Sequence, residues 1–87
     1  MRIKVFEWDE QNIDHIARHG VNPEEVEEAC YNALLILRKG GLYLIYGQTY
    51  DGRYLLAVCR YRGRGIIRTV TARDMTDNEK KLSQKRR

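Results

Sequence analysis

The sequence predicts an α+β fold: a small antiparallel sheet of about four strands, two helices from the N-terminal half on one face, and a short C-terminal helix. Three observations predict it. Asp51-Gly52 stands between two runs rich in Tyr, Leu, Ile and Val, the pattern of a β-hairpin. Asn22-Pro23 with Glu25 has the cap, first-turn proline and reciprocal acceptor of a helix start. Thr76 and Glu79 repeat that spacing near the chain end. With 87 residues, the chain makes one domain, 1–87, near the lower size limit for an unaided core.

Each element follows in order. Residues 1–8 alternate as a strand, Ile3 and Val5 on one side and Lys4, Phe6 and Trp8 on the other. Asp9 suits a helix N-cap, and Gly20 a left-handed stop after His19. In this helix Ile13 and Ala17 form the expected buried arc, next to Ile16. Asn12, His15 and His19 fall within about 60° of one another along its border. The second helix carries an apolar stripe of Val26, Ala29, Cys30 and Ala33, and an acidic outer face of Glu24, Glu25, Glu27 and Glu28.

A short strand is expected over 34–38, then the hairpin over 42–50 and 53–62. A two-residue type I′ turn at Asp51-Gly52 would pair Tyr50 with Arg53, Ile45 with Val58 and Tyr43 with Arg60. Both hairpin faces are largely apolar, so one meets the helices and the other is a partner or binding surface. Gly63-Arg64-Gly65 turns into a last strand over 66–72. A polar helix then runs to the chain end, with Leu82 as its apolar anchor.

Charge is unevenly distributed. From residue 60 onward the chain holds ten of its 16 Lys/Arg and three of its 12 Asp/Glu, a balance of +7 against −3 for everything before it. A basic side of this kind concentrates polyanions, of which phosphate backbones are the commonest in cells. A hydrophobic fraction of 43% is that of a globular domain rather than a disordered one. No apolar stretch approaches about 18 residues and no signal-type segment opens the chain, so a cytoplasmic location without membrane spanning is expected. Cys30 and Cys59 lie in apolar patterns and are expected as buried, reduced thiols.

The chemistry-bearing residues are two histidines and a set of arginines. Imidazole is the side chain whose ordinary pKa suits proton transfer near neutrality, and His15 and His19 share one helix border. The same pair could sit there as ordinary boundary residues, His19 bonding the helix end. As an i, i+4 pair they could also ligate zinc, but no third ligand is placed by sequence, so no metal site is expected. Arg60, Arg62 and Arg64 alternate through a strand end and its turn, and Arg68 and Arg73 bracket the last strand. Guanidinium binds phosphate in bidentate fashion and stabilises charge developing on phosphorus. Arg68 and Arg73 have opposite parity, so an uninterrupted strand would send them to opposite faces. Tyr43 beside Arg60 would offer a base-stacking platform next to a cation, as single-stranded RNA requires.

These residues resemble a known family. Phe6-Glu7-Trp8-Asp9, Asn12, His19-Gly20-Val21 and Glu24-Glu25 are similar to the N-terminal signature of the BrnT toxins. Ile66-Ile67-Arg68-Thr69-Val70-Thr71-Ala72-Arg73, then Thr76 and Glu79, is similar to the ending of that family. The chain departs from it at Arg18, where Lys is common, and at Leu82-Ser83, where a tyrosine is common.

The resemblance implies a RelE/ParE-like fold and a ribonuclease that works without metal or cofactor. It implies RNA and a cognate antitoxin as partners, with DNA met only through the antitoxin complex, and it is compatible with a homodimer. Carried onto this chain, the resemblance implies an active surface built from the first helix around His19 and from the sheet bearing Arg60, Arg68 and Arg73. Together with the reading of the residues themselves, the catalytic candidates are His15, His19, Arg68 and Arg73, and the RNA-binding ones Tyr43, Arg60, Arg62 and Arg64. The expected reaction is attack of a ribose 2′-hydroxyl on its own 3′-phosphate. The competing expectation is a non-catalytic module binding nucleic acid or a protein through the same surface.

Overall fold

The computed structural model describes residues 2–85; Met1, Arg86 and Arg87, the last two part of the expected basic tail, lie outside the described residues. The elements run β1 (Val5–Glu7), α1 (Glu10–Ala17), α2 (Pro23–Tyr31), β2 (Ala33–Lys39), β3 (Leu42–Gln48), β4 (Tyr54–Gly63), β5 (Ile66–Asp74) and α3 (Asp77–Lys85). One sheet of five strands has the order β1-β5-β4-β3-β2. Strands β2 to β5 form the antiparallel meander, and β1 adds a parallel edge beside β5. The α+β architecture is therefore the expected one, with a fifth strand.

All three helices start at capping boxes. Asp9 accepts from the Asn12 N–H while the Asn12 side chain accepts from the Asp9 N–H. Asn22 and Glu25 do the same for α2, as do Thr76 and Glu79 for α3. Each cap is worth about 1 kcal/mol, which matters for helices of only two to three turns.

The sheet has apolar side chains on both faces. Ile16 and Val26 pack with Ile45, Leu55, Ala57, Cys59, Ile67 and Ala72 on the face covered by α1 and α2. Each fully buried Ile or Leu contributes about 1.5–3 kcal/mol. Leu35, Tyr46, Leu56 and Met75 form a second cluster on the opposite face, toward α3. Cys30 and Cys59 are buried free thiols, as expected. No described helix is long and apolar enough to cross a membrane.

Three local expectations are corrected. First, α1 buries Ile16 and Asn12 rather than Ile13 and Ala17; Ile13 is 38% exposed and Asn12 only 3%. Asn12 tolerates burial because its amide donates to the Glu7 and Thr69 carbonyls at 2.9 and 3.1 Å. Second, the hairpin loop has three residues. Thr49 N–H donates to the Arg53 carbonyl at 2.8 Å, leaving Tyr50-Asp51-Gly52 as the turn, with Gly52 left-handed at φ 93°. The register shifts by one, so Tyr43 faces Cys59 instead of Arg60 and Ile45 faces Ala57 instead of Val58. Third, Leu82 is 42% exposed, and the side chain α3 buries is Ser83, 3.7 Å from the Met75 sulfur.

Two bulges shape the far end of the β4–β5 pair. Val58 pairs with Thr71 but Cys59 with Thr69, so Val70 is an extra residue in β5. Tyr61 pairs with Ile67 but Gly63 with Ile66, so Arg62 is an extra residue in β4. The Val70 bulge settles the parity problem. Arg68 pairs with Arg60 and Arg73 with Leu56, two positions of equal parity on β4, so both arginines emerge on the same face.

Candidate functional site

β1 ends at Glu7, and α1 leaves from its end along the open edge of β5. Asn12, bonded to carbonyls of both strands, fixes that junction. The result is a cleft of about 350 Å³ lined by Gln11, Asn12 and His15 from α1 and by Arg60, Arg62, Arg68, Thr69 and Val70 from β4 and β5. Both bulged residues line it. A hollow of similar volume, about 340 Å³, lies among Asn32, Ala33, Leu34, Gln48 and Thr49, and has no titratable side chain to do chemistry.

Of the eight residues singled out from the sequence, His15, Arg60, Arg62 and Arg68 meet in this cleft. The other four lie outside its lining. The His19 ring stands 6.1 Å from that of His15, centre to centre, but in the turn past the end of α1 rather than on the helix, where the sequence put it. The His19 carbonyl accepts from Arg53, which also binds the Gly20 carbonyl, Glu25 and Asp74 and so ties the hairpin to the α1–α2 turn. Arg73 makes a two-bonded ion pair with Glu79 at 2.8 and 2.9 Å, at the start of α3. Arg64 is exposed in the β4–β5 turn in a left-handed conformation, φ 56°. Tyr43 has Arg38, not Arg60, over its ring at 5.3 Å, and meets Tyr61 edge-on.

Two carboxylates that sequence reasoning passed over shape the cleft's charge. Asp9 receives Arg68 Nη1 and Nη2 at 2.8 and 3.2 Å. The Arg68 bonds, with those of the α1 main chain, hold the Asp9 carboxyl below the usual carboxylate range, and Asp9 in turn raises Arg68. Glu7 lies between Arg62 and Arg68, its Oε1 at 3.8 and 3.9 Å from their nearest nitrogens. That oxygen is buried and has no hydrogen bond. No local signal marked it: Glu7 meets Arg68 only through the parallel register of β1 on β5. The cleft therefore offers one imidazole, two guanidiniums backed by carboxylates, and one, Arg60, that makes no ion pair among the described residues.

The arrangement can seat a phosphate group and exchange a proton beside it. Among the described residues, no three His, Cys, Asp or Glu are grouped to hold a metal ion. Comparison with curated proteins finds no match. The model of one protein family does match, that of the ribonuclease toxin BrnT of type II toxin-antitoxin systems, over residues 8–79. Those residues include every strand but the first and every side chain of the cleft, and the chain belongs to the BrnT family.

Proposed function

We propose that this chain is an endoribonuclease toxin whose cleft cuts single-stranded RNA by transesterification, without a metal ion. The ribose 2′-oxygen attacks the adjacent phosphorus, forming a new P–O bond as the bond to the 5′-oxygen of the next nucleotide breaks. The products are a 2′,3′-cyclic phosphate and a free 5′-hydroxyl. The nucleophile belongs to the substrate, so the protein needs only to move protons and stabilise charge.

The observation that carries this reading is His15 in one cleft with Arg60, Arg62 and Arg68. His15 takes the 2′ proton, a contribution of about 10²–10⁴ in rate, and the departing 5′-oxygen takes a proton from water to become the free hydroxyl. Arg60 and Arg62 hold the backbone, and Arg68 neutralises charge growing on the phosphate oxygens. His19 and Arg73 lie outside the lining of the cleft and take no direct part in this scheme. Family membership supports the substrate class, and with it an antitoxin partner.

The test is incubation of purified protein with a defined single-stranded RNA in the presence of chelator. Cyclic-phosphate ends are expected, and an RNA methylated on every 2′-oxygen should resist. Bound but uncut RNA would make the cleft a binding module, and cutting of the methylated RNA would exclude 2′-hydroxyl attack.

A further inference from the structure

Arg68 is the least exposed arginine of the cleft, its side chain 20% exposed, and its two terminal nitrogens are already taken by Asp9. A phosphate approaching Arg68 end-on uses the same two N–H groups in the same fork geometry. Asp9 is the more open member of the pair, at 50% exposed. It also has a second task that does not need Arg68, since its Oδ1 accepts from the Asn12 N–H at the start of α1. A carboxylate that lets go of Arg68 can therefore turn to water while still capping the helix.

We propose that Asp9 is an internal competitor for the phosphate-binding fork of Arg68, and that RNA binds by displacing it. The inference rests on the RNA reading of the cleft and deepens it, because it makes Asp9 the residue that sets RNA affinity. Arg60, directly across from Arg68 on β4, makes the first contact with the backbone. A neighbouring phosphate then meets Asp9, and like charge drives the carboxylate off Arg68. With Glu7 and Asp9 in place, the charge of the three arginines is largely cancelled in the free protein, and weakly charged ligands gain little there.

The test compares binding of a fully 2′-O-methylated single-stranded RNA, which cannot be cut through the 2′-oxygen, to three proteins at low salt. Asp9→Asn keeps a good N-cap and removes the charge. It should bind about threefold tighter or more, the scale of one surface ion pair. Glu10→Gln removes one charge next in sequence without touching Arg68, and should match the wild type. In the wild type, the Asp9 carboxyl carbon resonance should shift as RNA is added.

Equal tightening by both variants would reduce the effect to the general field and overturn the proposal. So would unchanged or weaker binding by Asp9→Asn, the result expected if Asp9 only orients Arg68. Should Asp9→Asn fail to fold, an unmoved Asp9 resonance in RNA-bound wild type overturns it equally. A wild type that binds no RNA at all removes the reading of the cleft itself, a different failure.

Discussion

Arg60 and Arg68 face each other across the β4–β5 pair, and among the described residues only Arg68 has a carboxylate partner. Like charges directly opposite in a sheet are destabilising. Arg60→Ala should therefore leave stability unchanged or slightly raised, as urea unfolding would register. Binding of single-stranded RNA should weaken across all sequences, and the slope of log affinity against log salt should shrink by about 0.7 for the lost phosphate contact. A full salt slope in a folded Arg60→Ala protein would take Arg60 out of the interface.

His15 lies on α1 and His19 in the turn just past its end, and only His15 lines the cleft. Replacing His15 with Gln should slow RNA cleavage by about 10²-fold or more with RNA affinity little changed. The same change at His19 should cost far less. Single-turnover cleavage of one RNA by both variants separates the roles, and the reverse order of effects would move the proton acceptor to the turn after α1.

Much of this was legible in the sequence, and the misses share one physical origin. Caps, the glycine stop and the hairpin are local, and Asp9, Asn22 and Thr76 all act where their side chains predict. Arg68 and Arg73 could not be assigned to one face, because an extra residue at Val70 is decided by how two strands fit together. Asn12 looked like a border residue because only tertiary structure supplies the Glu7 and Thr69 carbonyls that make its burial tolerable. The one-residue slip of the hairpin is the exception, a local one, since Thr49 closes the loop onto Arg53 through its own side chain as well as its backbone. Arg60, Arg62 and His15 were legible as chemistry; Glu7 and Asp9 were not, since their partner Arg68 lies some sixty residues away.

Asn12 is the joint between α1 and the sheet, with both amide hydrogens and its oxygen in use. Asn12→Ala would deprive the Glu7 and Thr69 carbonyls of the Asn12 amide and undo the reciprocal cap at Asp9. A loss of about 1–3 kcal/mol is expected, read as a lower urea midpoint. The cut should also slow, because His15 is carried on the helix that Asn12 anchors. An unaltered midpoint would mean that the cleft is not held by this side chain.

Acid should weaken the fold through three ion pairs. Arg53 holds Asp74, Arg73 holds Glu79 and Arg68 holds Asp9 below their usual values, so each carboxyl binds its proton less readily folded than unfolded. Their contribution is complete above the unfolded values, near about pH 4, and is lost as pH falls through the lower folded ones. The urea midpoint should therefore drop between pH 5 and pH 3, taken as rough bounds from ordinary carboxylate values. In Asp74→Asn/Glu79→Gln the drop should be shallower, and a parallel decline in both proteins would place the acid sensitivity elsewhere.

Gly47 sets how closely α2 lies on the sheet. A Cβ built there would sit 1.8 Å from the Ala29 carbonyl oxygen and 2.6 Å from its carbon. The clash is with helix backbone, which cannot rotate away as a side chain would. Ala29 is itself fully buried beside Val26 and Ile45, so α2 could retreat only by opening the main core. Gly47→Ala should cost about 3 kcal/mol or more, the upper range for overpacking. In a domain of this size that is a large share of total stability. Thermal unfolding of Gly47→Ala should begin well below that of the wild type, and a variant of wild-type stability would mean that the α2–β3 spacing is looser than the 1.8 Å approach requires.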